Sequence, residues 1–429
     1  MKKLYIFLLL VSMSMQAQNP PRLGERESNF FNLNNFNNQS NVITIRNFTG
    51  QNSGRDSDIL NAAIRRASNA GGGVIVITSP RSGNSIYLRS IVLRSNIHIQ
   101  INSNVTIRPW LGGNPRSVVI FDVGQRNFVQ NVAITNRVFT GPRMNNRSQF
   151  FKCIISSAPT TRIRMINAIR VRNFMFAGID VTENNTILCN LEFNLYNPTS
   201  IAQGRSFPDR NLPVNGVVKN IVSRRNHVGY GITQIRAGRN ILFRNLDGTG
   251  GATLRIESGF PGNIRSASQT INRIVGRNIT IRGGDAAVFL SPHRSNQGRV
   301  DISGINAFNS QSALFVEGGF LDGNASNAVN PNRQSVNNRG RFASNSFIGG
   351  FNRVIGGANA QVKGRDIPFY PCNQQSIIRR RRLNVDRESR RGPSLAISRS
   401  LADDRNGCRS GCYRMNIQRN AREVGWSAK

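Results

Sequence analysis

Apolar and polar residues alternate in short runs along most of this chain, and the alternation predicts strands. In "IYLRSIVLRSNIHIQINSNVTIRP", 86–109, Ile97, Ile99 and Ile101 share one face, with His98 and Gln100 on the other. A phrase of similar build then recurs: "RNFVQNVAIT", "VRNFMFAGID", "VVKNIVSRRN", "GRNILFRNLD", "GRNITIRGGD" and "DISGINAFNS". Each sets an asparagine beside a short apolar alternation. The phrases return at intervals of roughly 20 to 40 residues, the signature of a solenoid whose units bury their apolar faces only by stacking. Asparagine tolerates the left-handed backbone of a tight turn, and its amide can bond the same amide one coil away.

One early stretch has a helical period instead. After Asp56, Leu60, Ala63, Ile64 and Ala67 fall at i, i+3, i+4 and i+7, and the glycines at 71–73 end the run. With so few helical stretches, the expected fold is all-β, a right-handed parallel β-helix with this short N-terminal helix covering its open end and protecting the first strand edge. An irregular all-β fold with Asn-rich loops is the competing reading.

The chain opens "MKKLYIFLLLVSMSMQAQ", two lysines and an apolar run followed by small and polar residues, the layout of a secretory signal peptide over 1–18. That predicts an exported protein, extracellular or periplasmic, with no membrane span. The solenoid is expected over 19–407. "GNASNAVNPNRQSVNNRGRFASN", 323–345, reads as a long polar loop, so a cleft on that side is expected to be open. "NSFIGGFNRVIGG" and "PSLAIS" read as resumed strands, the arginine run 379–382 as a solvated edge, and 408–429 as a terminal cap.

Charge then narrows the partner. Lys and Arg total 57 against 21 Asp and Glu, a formal charge of +36, and only six of the basic residues are lysine. A planar fork donor suits sulfate, phosphate or carboxylate, so a polyanion is indicated. Export favours an acidic polysaccharide over nucleic acid, and no zinc spacing, RNA platform or recognition helix argues otherwise. Neither a nucleic-acid nor a membrane partner is expected, and the chain is read as a monomer. Arg236, Arg244, Arg255 and Arg282 alternate with apolar neighbours and together suggest an anion-binding groove, with Tyr230 as a further contact. Each arginine alone is equally a solvated strand residue. Cys153, Cys189, Cys372, Cys408 and Cys412 leave one unpaired and sit in no nucleophile or metal pattern, so they read as structural. In a chain with few acids, Glu257 in "TLRIESGFPG" stands out as a candidate acid.

At this point a family resemblance emerges. "GYGITQIRAGRNILFRNLDGTGGATLRIE", 229–257, and "AAVFLSPH", 286–293, with "SNIHIQINSNVTIRP" and "GPSLA", resemble the iota-carrageenases, glycoside hydrolase family eighty-two. The likeness runs from about Asn41 to Asp322, without gaps from Gln234 through Glu257 and His293 to "GGFLD". It implies a right-handed β-helix from a marine bacterium that hydrolyses β-1,4 linkages of iota-carrageenan, a sulfated galactan, with inversion. It also implies that Glu257 is the general acid, that Gln234 holds the catalytic water with a bound chloride, that His293 lines the cleavage site and that Asp322 falls on a carboxylate position. No cofactor is required by this resemblance, although structural calcium occurs among such proteins.

The chain departs from the family at the general base, an aspartate two residues after the acid, where it has Gly259. Residues i and i+2 of a strand project to one face, and carboxyls roughly 6.5 to 9.5 Å apart leave room for the water of an inverting mechanism. Three readings stay open: a base from Glu317, Asp322 or Asp285; a water positioned by Gln234 and His293 alone; or a non-catalytic polysaccharide binder. A pectin hydrolase or lyase is more remote, since the chain lacks their carboxylate clusters. If Glu257 is the acid, burial must raise its pKa against the arginines around it.

Overall fold

The computed structural model describes residues 22–80, 83–137, 147–155, 162–183, 186–196, 207–258, 269–290, 295–316, 343–370, 372–383, 388–395, 397–399, 416–417 and 423–424. Its strands stack as parallel neighbours, coil on coil, into the expected parallel β-helix. All but two of them belong to one continuous hydrogen-bonded sheet. Isoleucines at equivalent positions fall into line: Ile43 pairs with Ile75, Ile75 with Ile99 and Ile99 with Ile134, all buried in one core.

Corners between strands are set by the recurrent asparagines. Asn96, Asn131, Asn173, Asn215, Asn220, Asn240, Asn245 and Asn278 all have φ between 55° and 61° or within a degree of it. Their amides bond up the axis in ladders: Asn173 Nδ2 to Asn131 Oδ1 at 2.8 Å, Asn131 to Asn96 at 2.7 Å, and Asn278 to Asn245 at 2.9 Å. A left-handed corner and a stacking amide in one side chain explain why the phrase repeats. The predicted helix, α1 (Arg55–Asn69), lays Leu60, Ala63, Ile64 and Ala67 into the core at the first coils, capping the stack.

One outward row of the sheet is not left to solvent. His98, Ala133, Met175, Val217, Leu242, Val275 and Asp301 are successive register partners, one per coil. An N-terminal strap runs along them and buries Phe30, Phe31 and Phe36 against Ala133, Met175, Val217, Leu242 and Val275. It is tied at Asp301 by Arg22 (2.6 Å) and the Leu23 amide (2.6 Å), at Arg277 by Glu25 (2.8 Å) and at Asn173 by Asn32 (2.8 Å). His98, expected on the polar face, is 1% exposed under this strap, with Phe36 at 6.3 Å and its Nε2 2.9 Å from Thr135 Oγ1. Burial pulls its pKa down to about 4.

Two interior features complete the stack. Glu183 follows Ile179 and Val181 on the inward face of strand Val171–Glu183 and is 1% exposed, its carboxyl pushed up by burial. Cys153 and Cys189 are buried free thiols, both pushed up by burial, which fits the structural reading; Cys408 and Cys412, and the side chain of Cys372, lie outside the described residues.

Strands resume at Phe351–Ile355 and Ile397–Arg399 as predicted, but between them the chain leaves the solenoid. An antiparallel pair, Ala360–Lys363 with Ser389–Gly392, and helix α2 (Cys372–Arg380) enclose a small core of Val362, Ile367, Tyr370, Ile378 and Leu395. The cleft was expected to be open; this lobe stands beside it instead. Its apolar residues have no common period, so they could not be read as one unit. The arginines 379–382 are exposed, and much of 323–345 lies outside the described residues.

Candidate functional site

Glu257 ends a strand whose alternation sends Leu254 and Ile256 inward and Arg255 and Glu257 outward. Although outward, Glu257 is 4% exposed, because side chains on adjacent strands close over it. Arg255 Nη2 donates to Glu257 Oε1 at 2.6 Å, and Gln234 Nε2 donates to Oε2. Gln234 is the register partner of Arg255 one coil earlier, so the parallel sheet itself brings the amide to the carboxyl. Arg236 Nη2 in turn donates to Gln234 Oε1 at 2.9 Å.

Arg255 is clamped at its other end. Its Nη1 donates to the Gly229 carbonyl, and its guanidinium lies 5.6 Å from the Tyr230 ring and 5.2 Å from that of Phe289. Gly229 has φ 74°, a left-handed conformation that favours glycine, and Lys363 Nζ of the lobe lies close over it, 2.7 Å from where a Cβ would stand. Lys363 Nζ reaches 5.9 Å from the Tyr230 ring and 3.8 Å from Glu388 of the same lobe. Burial raises the Tyr230 pKa; Arg255 opposes the rise, while the carboxylates of Glu257 and Glu388 add to it.

Glu192, absent from the sequence reading, sits one coil below Gln234 in the same outward row. It is fully buried, held by Arg164 at 2.5 Å and Arg236 at 3.5 Å. Its only sequence signal was a position in "LEFN" where an outward polar residue is ordinary. Glu388 was missed because the lobe was.

The structure therefore brings together Glu257, Gln234, Arg236, Arg255 and Tyr230. Arg244 and Arg282 are elsewhere. Arg244 belongs to the strap-covered sheet and pairs with Glu27 at 3.0 Å. Arg282 lies beyond the opposite end of the neighbouring strand, Ala286–Leu290, paired with Asp247 at 3.3 Å and over the Phe308 ring. The predicted row of four arginines reduces to Arg236 and Arg255, because alternation fixes a face of a strand but not which sheet of the coil carries it. Asp285 is fully buried in the turn before that strand. His293, Asp322, Glu317 and Gly259 lie outside the described residues. Among the described residues, no group of three or more His, Cys, Asp or Glu is placed to hold a metal ion.

No family model matches the chain. Two curated relatives do: an iota-carrageenase of Zobellia galactanivorans, 28% identical over 288 residues (66% of this chain, 54% of the relative), and one of Alteromonas macleodii, 27% identical over 274 residues (64% and 51%). The chain thus spans about half the length of the curated relatives it matches. Among solved structures, an iota-carrageenase complexed to iota-carrageenan fragments superposes with a TM-score of 0.70, covering 95% of this chain and 93% of that one at 20% identity. An iota-carrageenase of family GH82 from A. fortis, determined in absence of chloride ions, also gives 0.70 at 20% identity, covering 95% and 92%. Likeness in sequence over two thirds of its length, and in fold over nearly all of it, makes this chain a relative of the iota-carrageenases.

Proposed function

We propose that the chain is an exported glycoside hydrolase that cleaves β-1,4 linkages of a sulfated galactan, iota-carrageenan first among them, with inversion. The observation that carries this reading is the Gln234–Glu257–Arg255 constellation, a carboxyl gripped on both oxygens on the outward row of a parallel β-helix. Glu257 is the proton donor to the leaving oxygen. Arg255 and Gln234 fix its rotamer, and the proton must be carried on the oxygen that one of them releases. Arg236 and Arg255, though held by Glu192 and Glu257, add positive charge along the row that would face a sulfated sugar.

We propose further that a halide binds beside Gln234. One Nε2 proton goes to Glu257, while Arg236 holds the Oε1 end of the same amide; the second Nε2 proton is the donor a chloride would take. Bound there, it would supply a fixed negative charge to orient water. Structural calcium finds no carboxylate cluster among the described residues.

A second reading, a polysaccharide binder without hydrolysis, is favoured by Gly259 in place of the family's base. Reducing-end release from iota-carrageenan, with kappa-carrageenan and polygalacturonate as controls, decides between them. Release from iota alone, abolished in Glu257→Gln, is the expected result. Retention of the polymer with no release by either protein overturns hydrolysis and leaves the binder.

A further inference from the structure

The outward row that carries the site continues toward the capped end of the solenoid. Register partners link Arg255 to Gln234, Gln234 to Glu192, Glu192 to Asn167, Asn167 to Asp122 and Asp122 to Val92. Each step is one strand spacing, ~4.8 Å, so Asp122 lies ~14 Å from Gln234 and ~19 Å from Arg255 along the axis. At that distance a cavity opens, about 510 Å³ in volume, between α1, the turn after Val92 and the turn after Asp122.

Three arginines line it, one from each wall: Arg65 of α1, Arg94 and Arg126. All three are exposed, and none makes a side-chain hydrogen bond or salt bridge among the described residues, although the Arg126 charge is felt by Asp122. Other arginines of the solenoid are engaged, with Arg164 and Arg236 holding Glu192, Arg277 holding Glu25 and Arg239 holding Asp209, whereas Arg46 and Arg55 are exposed single positions away from this cavity. The one carboxylate in the cavity, Asp122, is 9% exposed and accepts from the Gln125 amide at 3.2 Å, closing its own turn. Three guanidinium forks against one carboxylate, itself committed to its own turn, leave the cavity cationic.

An aromatic surface lies beside the cavity. Arg170 donates to the Gly124 and Gln125 carbonyls at the cavity's edge, at 2.9 and 2.7 Å, and its guanidinium lies 3.5 Å over the Tyr196 ring, which is 40% exposed. An exposed ring locked flat by a guanidinium is a surface on which a sugar face packs.

We propose that this cavity is a remote sulfate-binding subsite of the same groove, in which Arg65, Arg94 and Arg126 take a sulfate ester on a sugar about four coils from the cleaved bond. The inference rests on the proposed polysaccharide substrate and adds to it where the far end of the polymer is held. The cap helix then has a second role, since Arg65 closes one wall. The subsite selects for chain length: a polymer engages both ends of the row, whereas an oligosaccharide shorter than ~19 Å engages only one.

The test uses the full chain carrying Glu257→Gln, so that binding is read without turnover, in affinity gels containing iota-carrageenan, dextran sulfate or agarose. The triple variant Arg65→Ser/Arg94→Ser/Arg126→Ser is compared with Arg26→Ser/Arg46→Ser/Arg55→Ser, which removes the same charge from exposed positions off the row. The first triple should weaken iota-carrageenan binding at least tenfold and binding of a short iota-oligosaccharide less than twofold, with the control triple near wild type on both. Equal loss in the two triples means general charge attraction, and no loss in the first means an idle cavity; either overturns the subsite. Tight, triple-sensitive binding by a chain that releases no reducing ends sinks hydrolysis alone and leaves the subsite standing. Added inorganic sulfate that competes as well as the polymer does would reduce the cavity to a free-anion site and overturn the polymer reading.

Discussion

Acid should loosen this protein through one histidine. His98 is sealed beneath the strap, and burial lowers its pKa from 6.5 to about 4. The unfolded chain takes up a proton as pH falls below 6.5, while the folded chain refuses it until about 4. Stability from the neutral ring is therefore complete above 6.5 and is lost progressively down to 4. Each pKa unit is worth ~1.4 kcal/mol, so the difference amounts to about 3 kcal/mol, a large share of a typical domain's stability. His98→Gln keeps a polar group within reach of Thr135 but cannot titrate. Between pH 7.5 and 4, urea-unfolding free energies should fall about 3 kcal/mol further for wild type than for the variant. With only three histidines in the chain, proton NMR can follow the ring directly. Parallel stability curves, or a His98 signal titrating near 6.5, would refute the reasoning.

Other consequences follow from the same contacts. Glu183→Gln should raise the unfolding midpoint at pH 8 and lose that advantage toward pH 4. The folded carboxyl, raised by burial, holds a proton that the unfolded chain gives up as pH rises, and calorimetry across that range checks it. Asn173→Ala should cost about 2 to 3 kcal/mol in chemical denaturation, since it ends the ladder to Asn131, frees Asn32 and puts a Cβ-bearing residue without a local bond at φ 55°, whereas Asn173→Gly should recover the backbone share. Asp301→Ala removes the anchor of Arg22 and Leu23 and should make the strap cleavable by limited proteolysis while the coils stay intact.

What was legible in the sequence had its chemistry packed into single residues. Asn131, Asn173, Asn245 and Asn278 could be read because one side chain both permits the corner and bonds its copy, so the phrase must recur wherever the corner does. The α1 face was legible from four residues at helical spacing. The strap was not, because Phe30, Phe31 and Phe36 have no period of their own and their partners lie up to about 280 residues away, as with Arg22 and Asp301. For the same reason His98 was assigned to a polar face that another segment covers. At the site, the pairing of Gln234 with Glu257 followed from the resemblance. Their direct contact follows from a one-coil register that alternation alone does not number.

That register also limits where a replacement for the missing base can be found. A base for an inverting reaction must touch a water on the open side of the sugar, so it cannot be sealed. Glu192 and Asp285 are each fully buried, and Glu192 is further committed to Arg164 and Arg236. Glu388 differs: its side chain is 55% exposed, and its charge is felt by the same Tyr230 phenol that feels Glu257. It belongs to the lobe outside the solenoid, 3.8 Å from Lys363 Nζ, which itself reaches the Tyr230 ring at 5.9 Å. Glu388→Gln should then lower kcat on iota-carrageenan ~10²- to 10⁴-fold with KM little changed, and azide, a small nucleophile needing no base, should restore glycosyl transfer and yield a glycosyl azide of inverted configuration. A fall of only a few fold, or a rise in KM without one in kcat, would make Glu388 a substrate contact held by Lys363 and move the search to Glu317 and Asp322.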